Sequence, residues 1–401
     1  MLFYVAFRNL FRNVRRTCAV MLTIALGAGA LMCFDGFNKG VLDQYREGTI
    51  HAHYGYGQIF TKGYRENVFE KPWEHWIQNW EALKTFLEIQ GGVDKAFPRL
   101  SFSALLTSGK TSVSGQGHGV DGRAEVTFFN ELDMESGVPL SDQDEGIVLG
   151  KGIARALDVN IGDKVTVAAR ATDGNMNQIA LQVVGIFHSG SQEFDNKVFR
   201  LPLQQSQKLL KTDKIETIAL GLKDLSEWES VAKAIHKRYE NLEAIPFAVL
   251  DEVYYQHSID WLDAQFRVVQ VIIILIVILG TFNSVSTAIL ERKQEIGNLR
   301  ANGESVFEIM RLLVWEGVFL GAIGAIIGVL VATVLVNGFL REGIVMPPGP
   351  GLTKEFVAMI TLQWNMAYTT ILMSIVAAFG ATLLAGFRVA KLPVAEALRA
   401  V

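Results

Sequence analysis

Apolar positions along the chain fall into two regimes. Four runs reach the roughly 20 apolar residues needed to cross a bilayer. They cover residues 17–36, 266–290, 312–340 and 364–387. The second is the clearest, because Val271 to Leu279 is unbroken Val, Ile and Leu. The third is rich in glycine and carries Glu316 and Asn337 near its ends. Between the first and second runs, residues 37–265 alternate apolar and polar positions as a folded, water-facing domain does. The predicted class is an α-helical membrane protein with four transmembrane helices and a large extracytoplasmic α+β domain inserted between the first and second.

Inside the insert both periodicities occur. Glu74 to Ile89 repeats apolar residues at helical spacing, as do Leu203 to Leu210 and Trp228 to Asn241. Ser101 to Val120 reads as short strands broken by Gly and Ser, and Ile179 to Phe187 as a further strand. Gly146 to Ala169 reads as strand, helix, Gly-Asp turn and strand. Tyr254 to Ala264 is expected to lead as a helix straight into the second run.

Charge orients these elements, because Lys and Arg near span ends stay on the cytoplasmic side. Residues 1–16 carry Arg8, Arg12, Arg15 and Arg16 and no acid. The loop 291–311 holds Arg292, Lys293, Arg300 and Arg311, and the tail 388–401 holds Arg388, Lys391 and Arg399. These three segments take 11 of the 37 basic residues and 5 of the 41 acidic ones. Both termini are therefore expected in the cytoplasm of a bacterial cell, as a multi-pass inner-membrane protein, with 37–265 and the loop 341–363 outside. A cleaved signal peptide is the rival reading of the first run; the 16 residues before it and the three runs after it favour a retained span. Phe3, Phe7, Leu10, Phe11 and Val14 recur at helical spacing among the arginines. That pattern predicts an amphipathic helix in the headgroup layer, its arginines toward anionic lipid. The plainer reading is a cytoplasmic extension of the first span.

The composition offers little catalytic chemistry. The two cysteines, Cys18 and Cys33, both lie in or beside the first run. On one helix they stand about 22 Å apart, too far to pair. Gly109-Lys110-Thr111 lacks the earlier glycine of a phosphate-binding loop, because Ala104 occupies that position. No other segment resembles a nucleotide-binding loop, so no ATPase is expected in this chain. His51 and His53 would share one face of a strand, but no third metal ligand accompanies them. Asp142, Asp144 and Glu145 read as a solvated loop. No catalytic residue and no metal site is predicted, and nothing suggests nucleic acid as a partner. Asn283, Ser284, Ser286 and Thr287 make the cytoplasmic end of the second run polar, which suits bonds between neighbouring helices or a place near the interface better than a small polar substrate. Gly317, Gly321, Gly324 and Gly328 recur at spacings of four, three and four, so one face of the third run can let another helix approach closely.

The loop Glu291 to Ser305 reads ERKQEIGNLRANGES. It predicts a short helix between two spans, apolar at Ile296 and Leu299 and charged at Glu295 and Arg300. This segment resembles the E-R-x-x-E-I-G-x-L-R-A-x-G motif of MacB/LolC/LolE/FtsX-type ABC transporter permeases. The match falls on Glu291, Arg292, Glu295, Ile296, Gly297, Leu299, Arg300, Ala301 and Gly303. Asn298 and Asn302 depart from the apolar residues usual there. GIVLGKGIARALDVNIGDKVTV, LQVVGIFHSGSQEFDNKVFRLPLQQSQKLL and the closing AKLPVAEALR resemble other parts of the same family.

The resemblance implies a permease subunit that assembles with two copies of an ABC ATPase and with a second permease, identical or homologous. ATP and Mg would be bound by the ATPase, with no cofactor in this chain. The loop helix would act as the coupling helix, and ATP-driven motion would reach the periplasmic domain. That motion would release lipoprotein or other lipid-anchored cargo, or drive a periplasmic partner. Pro347-Pro348-Gly349-Pro350-Gly351 would be a rigid outer loop. The competing readings are a membrane receptor or scaffold whose outer domain binds a ligand and signals inward, and a membrane hydrolase, for which no catalytic candidate exists.

Overall fold

The computed structural model describes residues 2–130, 132–140, 146–252, 256–291, 293–348 and 353–390. It divides into two compact units. One takes residues 1–44, 258–345 and 357–401; the other takes 45–257 together with 346–356.

The first unit is helical. Its helices are Leu2–Leu10, Val14–Thr49, His257–Glu291, Lys293–Ala301, Val306–Gly338 and Trp364–Ala390. Four of these are long and apolar enough to cross a membrane. The Val14–Thr49 helix has 36 residues, about 54 Å at 1.5 Å per residue, well beyond the apolar run that predicted it. Polar residues extend it, among them the Lys39–Asp43 pair at 2.7 Å one turn apart. His257–Glu291 is likewise one helix, carrying the polar stretch from His257 into the Val/Ile-rich run. The N-terminal segment differs from the single amphipathic helix expected. It is helical over Leu2–Leu10 and turns at residues 11–13 before the long helix begins. Phe7 meets Phe319 edge-on at 5.6 Å, and Asn9 Nδ2 donates to Glu316 Oε1 at 2.6 Å. The short helix therefore packs on Val306–Gly338 as well as presenting arginines.

Leu10, Val20, Ile24, Val277, Leu320, Ala377 and Ala378 form the main core of this unit. Val306–Gly338 begins with a reciprocal cap: Ser305 accepts from the Glu308 backbone, and the Glu308 side chain accepts from the Ser305 backbone.

The second unit is α+β. Its strands are β1 Gly57–Thr61, β2 Val93–Thr107, β3 Ser112–Val120, β4 Asp133–Gly137, β5 Gly146–Gly150, β6 Lys164–Arg170, β7 Met176–His188, β8 Val198–Pro202, β9 Thr217–Leu222 and β10 Leu242–Pro246. The pairings β2–β3, β3–β8, β8–β5, β5–β7, β7–β6 and β6–β2 close into a six-stranded ring. Closure leaves these strands few bare edges. Ile147, Leu149, Val165, Val167, Leu181, Val183, Phe199 and Leu201 are fully buried or nearly so, filling the core with their inward positions. The first half of β2 leaves the ring and pairs with β9, which continues through β1 to β10.

Local turn chemistry follows the sequence. Ser108 to Thr111 turns β2 into β3, with Gly109 at φ +87° and a 3.1 Å bond from Ser108 N to Thr111 O. Gly109-Lys110-Thr111 therefore belongs to a hairpin. The helix Lys151–Leu157 ends at left-handed Asp158, and Gly162 at φ +93° makes the turn into β6. The expected helix over 74–89 is confined to Trp80–Ile89, because Ile77 instead pairs with Ile215 in a bridge. Residues 51–53 also depart from expectation. They lie in a π-helical turn, Ile50–Tyr54, that prolongs the first long helix, so His51 and His53 are not on one face of a strand.

Candidate functional site

Two places combine burial, charge and position in ways that bear on function. The first is the loop between the second and third apolar helices. Lys293–Ala301 is helical, and its Ile296 and Gly297 are buried. Ile296 joins Val285, Ile289, Ile309, Leu313 and Ala385 in one apolar cluster, with Leu299 and Phe282 against it. Gly303, at φ +96°, ends the segment, and Glu304 N returns to Leu299 O at 3.1 Å. Gln294, Asn298, Ala301 and Asn302 are exposed. The helix thus stands on an apolar foot and leaves a small, polar face uncovered. Glu295 pairs with Arg12 just beyond the N-terminal helix. Glu291 begins the segment as an exposed residue, and Arg300 is half-buried within it. Arg292 lies outside the described residues.

The four glycines of Val306–Gly338 meet two different helices. A Cβ at Gly317 would stand 2.1 Å from Thr382, and one at Gly321 2.8 Å from Ala378. At Gly324 it would reach Ile24 at 2.9 Å, and at Gly328 the Ala25 carbonyl oxygen at 2.3 Å. One end of the stripe therefore faces the fourth apolar helix and the other the first, with both partners inside this chain. In the polar end of the second helix, Thr287 donates to Asn283 O at 3.0 Å, and Ser284 faces a small cavity with Asn9 and Glu316.

The second place is a buried charge cluster in the α+β unit, which sequence reasoning did not find. Arg99 from β2 and Arg200 from β8 converge on Glu125, from the helix Gly122–Phe128. Arg99 grips it bidentately at 2.8 Å, and Arg200 Nη1 reaches it at 3.4 Å. All three side chains are more than nine-tenths buried. One further nitrogen of each guanidinium turns to the π-helical turn. Arg99 Nη1 donates to the His53 carbonyl, and Arg200 Nη2 donates to that of Ala52 at 3.0 Å. Carbonyls at a helix C-terminus lack partners and carry partial negative charge, so cations suit them. The π-helical turn Ile50–Tyr54 is fastened in this way.

Burial and the arginines control the nearby histidines. His53 is held at about 3 by burial and then by Arg99 and Arg200. His118, whose ring centre is 5.3 Å from that of His53, is pushed well below its usual value by burial and then by His53. Both are neutral at pH 7, so two guanidiniums share one carboxylate. Burial lowers Arg200 itself to about 10, against the pull of Glu125. Arg99 and Arg200 are separated by about a hundred residues, and each has no charged residue within two positions of it. A lone charge in an uncharged stretch was the one available signal.

A third feature concerns the segment between the third and fourth apolar helices. Thr353 N donates to Gly190 O at 2.8 Å, and Thr353 Oγ1 lies 3.2 Å from His188 Nε2. Lys354 pairs with Asp133, and His188 Nδ1 meets Asp195 at 2.6 Å. Pro347 and Pro348 are described, whereas Gly349, Pro350 and Gly351 are outside the described residues. So are Asp142, Asp144, Glu145 and the closing stretch from Lys391 onward.

Comparison with known proteins places this geometry. A model of the MacB-like periplasmic core domain matches residues 17–238, more than half of the chain. A model of the FtsX-like permease C-terminal region matches residues 267–394. The chain belongs to the MacB/FtsX-like family of ABC transporter permeases. Among relatives of this permease, the lipoprotein-releasing system transmembrane protein LolE of Haemophilus influenzae is 28% identical over 80% of this chain and 81% of its own length. The corresponding LolC of Xylella fastidiosa is 26% identical over 95% and 93%. The macrolide export ATP-binding/permease protein MacB of Wolinella succinogenes is 23% identical, with 98% of this permease covering 59% of that longer protein. The buried arginine cluster falls within the periplasmic core match, and the loop helix and glycine stripe within the permease match.

Proposed function

We propose that this permease converts ATP hydrolysis by a separate ABC ATPase into motion of its α+β domain. That domain stands on the periplasmic side of the bacterial inner membrane, and both termini lie in the cytoplasm. The observation that carries the reading is the loop helix Lys293–Ala301, rooted by Ile296 yet exposing Asn298 and Ala301. A helix built this way suits a socket on a partner and can transmit a push without unfolding. Glu291, Arg292, Glu295, Arg300 and Gly303 complete the contact. The 35-residue helix His257–Glu291 ends at this loop and begins, in sequence, where the main segment of the α+β domain stops. Beyond the 36-residue first helix, Arg99 and Arg200 grip the carbonyls of His53 and Ala52 in the π-helical turn that prolongs it. Both helices are stiff links suited to carrying displacement across the bilayer.

Two ATPase copies and a second permease, identical or homologous, complete the assembly. ATP and Mg reside in the ATPase. The relatives that release lipoproteins favour lipid-anchored cargo, moved at the periplasmic surface by the α+β domain. The test is reconstitution with the cognate ATPase. The permease stimulates ATP hydrolysis, and cargo presented from the periplasmic side raises it further. A permease that neither binds an ATPase nor changes its hydrolysis rate overturns the reading.

A further inference from the structure

The N-terminal helix Leu2–Leu10 and the turn after it reach two separate neighbours. Ala6 and Leu10 are buried, and Leu10 joins the main apolar core with Val20 and Leu320. Phe7 meets Phe319 edge-on at 5.6 Å, and Asn9 Nδ2 donates to Glu316 Oε1 at 2.6 Å. These contacts root the short helix on Val306–Gly338. Just beyond its end, Arg12 pairs with Glu295 of the loop helix.

The corner between the two attachments is fixed. Phe11 N donates to Arg8 O and Arg12 N to Asn9 O, each at 3.2 Å. Thr17 Oγ1 donates to Leu10 O at 2.7 Å, answering a carbonyl that a helix end leaves bare. Arg12 is therefore mounted on a frame. Asn9 and Glu316 also border a cavity of about 30 Å³ with Thr17 and Ser284. That space is too small for a ligand. It brings the N-terminal segment, the second apolar helix and the third to one polar point. Among apolar helices such a point holds its members in place, because each polar group there needs a partner.

The loop helix gains a second anchor from this frame. Its own chain reaches the third helix only through the turn after Ala301, where Gly303 sits at φ +96°. Its foot, Ile296, is held by apolar contact, which is non-directional. The Arg12–Glu295 pair adds direction. With side chains 57% and 43% exposed, the pair is weak by itself. It steers the loop helix, while the contacts at Phe7, Asn9 and Leu10 hold the frame.

We propose that the N-terminal helix is a strap that ties the loop helix to the third apolar helix, with Arg12 and Asn9 as positioning residues. Displacement of the loop helix then reaches the third helix through the strap, bypassing the turn at Gly303. The role in transmission rests on the coupling function proposed above. A helix that only anchors the chain among lipid headgroups would instead make its arginines interchangeable.

The test places a nitroxide on Asn298→Cys, an exposed position, in the full chain with Cys18 and Cys33 replaced by serine, in nanodiscs without ATPase. Electron paramagnetic resonance reads the mobility of the loop helix. Arg12→Glu is expected to shorten the rotational correlation time about twofold, as is Asn9→Leu at the far end of the strap. Adding Glu295→Arg to Arg12→Glu restores the parent spectrum. Arg15→Glu makes the same charge change at an arginine that forms no ion pair with the loop helix among the described residues, and it leaves the spectrum unchanged. An unchanged melting temperature verifies the fold of each variant. With the cognate ATPase added, Arg12→Glu cuts stimulation at least threefold, whereas Arg12→Lys keeps it. The strap is overturned if Arg12→Glu leaves the nitroxide unchanged, if Arg15→Glu loosens it equally, if the charge swap fails to restore it, or if Arg12→Glu stimulates the ATPase like the parent. A parent that stimulates no ATPase counts against the coupling function instead, and the nitroxide series still decides the strap.

Discussion

Arg200 Nη2 donates to the Ala52 carbonyl at 3.0 Å, joining strand β8 to the last turn of the first long helix across 148 residues of sequence. Arg99 makes the matching bond to His53. Glu125 holds the two arginines together, so three side chains secure the turn Ile50–Tyr54 within the α+β domain. These charge-assisted hydrogen bonds lie in a dry interior, where they are stronger than bonds at a wet surface.

Glu125 is the linchpin of this arrangement. Glu125→Gln leaves two buried guanidiniums without a carboxylate, and removing one partner of a buried ion pair costs about 3–5 kcal/mol. Thermal unfolding of the detergent-solubilised chain should shift down by several degrees. An unchanged midpoint means the cluster does not secure the domain.

The histidines predict an acid-sensitive domain. His53 is held at about 3 when folded, against about 6.5 when unfolded. Its stabilising contribution is therefore complete above pH 6.5 and is lost as pH falls toward 3. Each pH unit in that window removes up to about 1.4 kcal/mol. His118, lowered in the same direction, adds to the slope. His53→Phe should flatten the dependence of melting temperature on pH between 6.5 and 4. A parallel curve for the variant contradicts the assignment.

Gly328 tests the packing of the apolar helices. A side chain there meets the backbone oxygen of Ala25, which no rotamer change can move. Gly328→Val should destabilise the helical unit by about 1–3 kcal/mol, as overpacking does. Ala25→Gly should not rescue it, because the obstacle is main chain. Rescue by Ala25→Gly would place the collision elsewhere.

Within the loop helix, buried and exposed positions should separate folding from coupling. Ile296→Asp puts an unpaired carboxylate among Val285, Ile309 and Leu313 and should lower thermal stability. Ala301→Glu is exposed and should leave the melting temperature unchanged while removing stimulation of the ATPase. Equal stimulation by Ala301→Glu and the parent would detach this face from the partner.

Hydropathy runs alone indicated the four long helices, because a lipid-crossing helix announces itself over 20 residues. The glycine stripe was equally legible as a period, but its partners were not. Only the fold shows Gly317 against Thr382 and Gly328 against Ala25. The extension of the first helix to Thr49 was hidden because its polar residues, such as Lys39 and Asp43, resemble a domain surface. Arg99, Glu125 and Arg200 were invisible as a group because strand pairing, not sequence spacing, brings them together. His53 was misplaced on a strand for the same reason: its setting is made by two arginines distant in sequence. The ring of six strands depends on β6 pairing with both β2 and β7, a long-range choice that alternation within each strand does not encode.

The central claim is that the loop after the second apolar helix meets a nucleotide-hydrolysing partner on the cytoplasmic side. Asn298→Cys, in a chain with Cys18 and Cys33 replaced by serine, measures it directly through site-specific crosslinking in membrane vesicles during ATP turnover. The account predicts a crosslink to the ABC ATPase, blocked by a membrane-impermeant maleimide in inside-out vesicles and untouched by it in right-side-out ones. Blocking from the periplasmic face, or full reactivity with no ATPase captured, would contradict it.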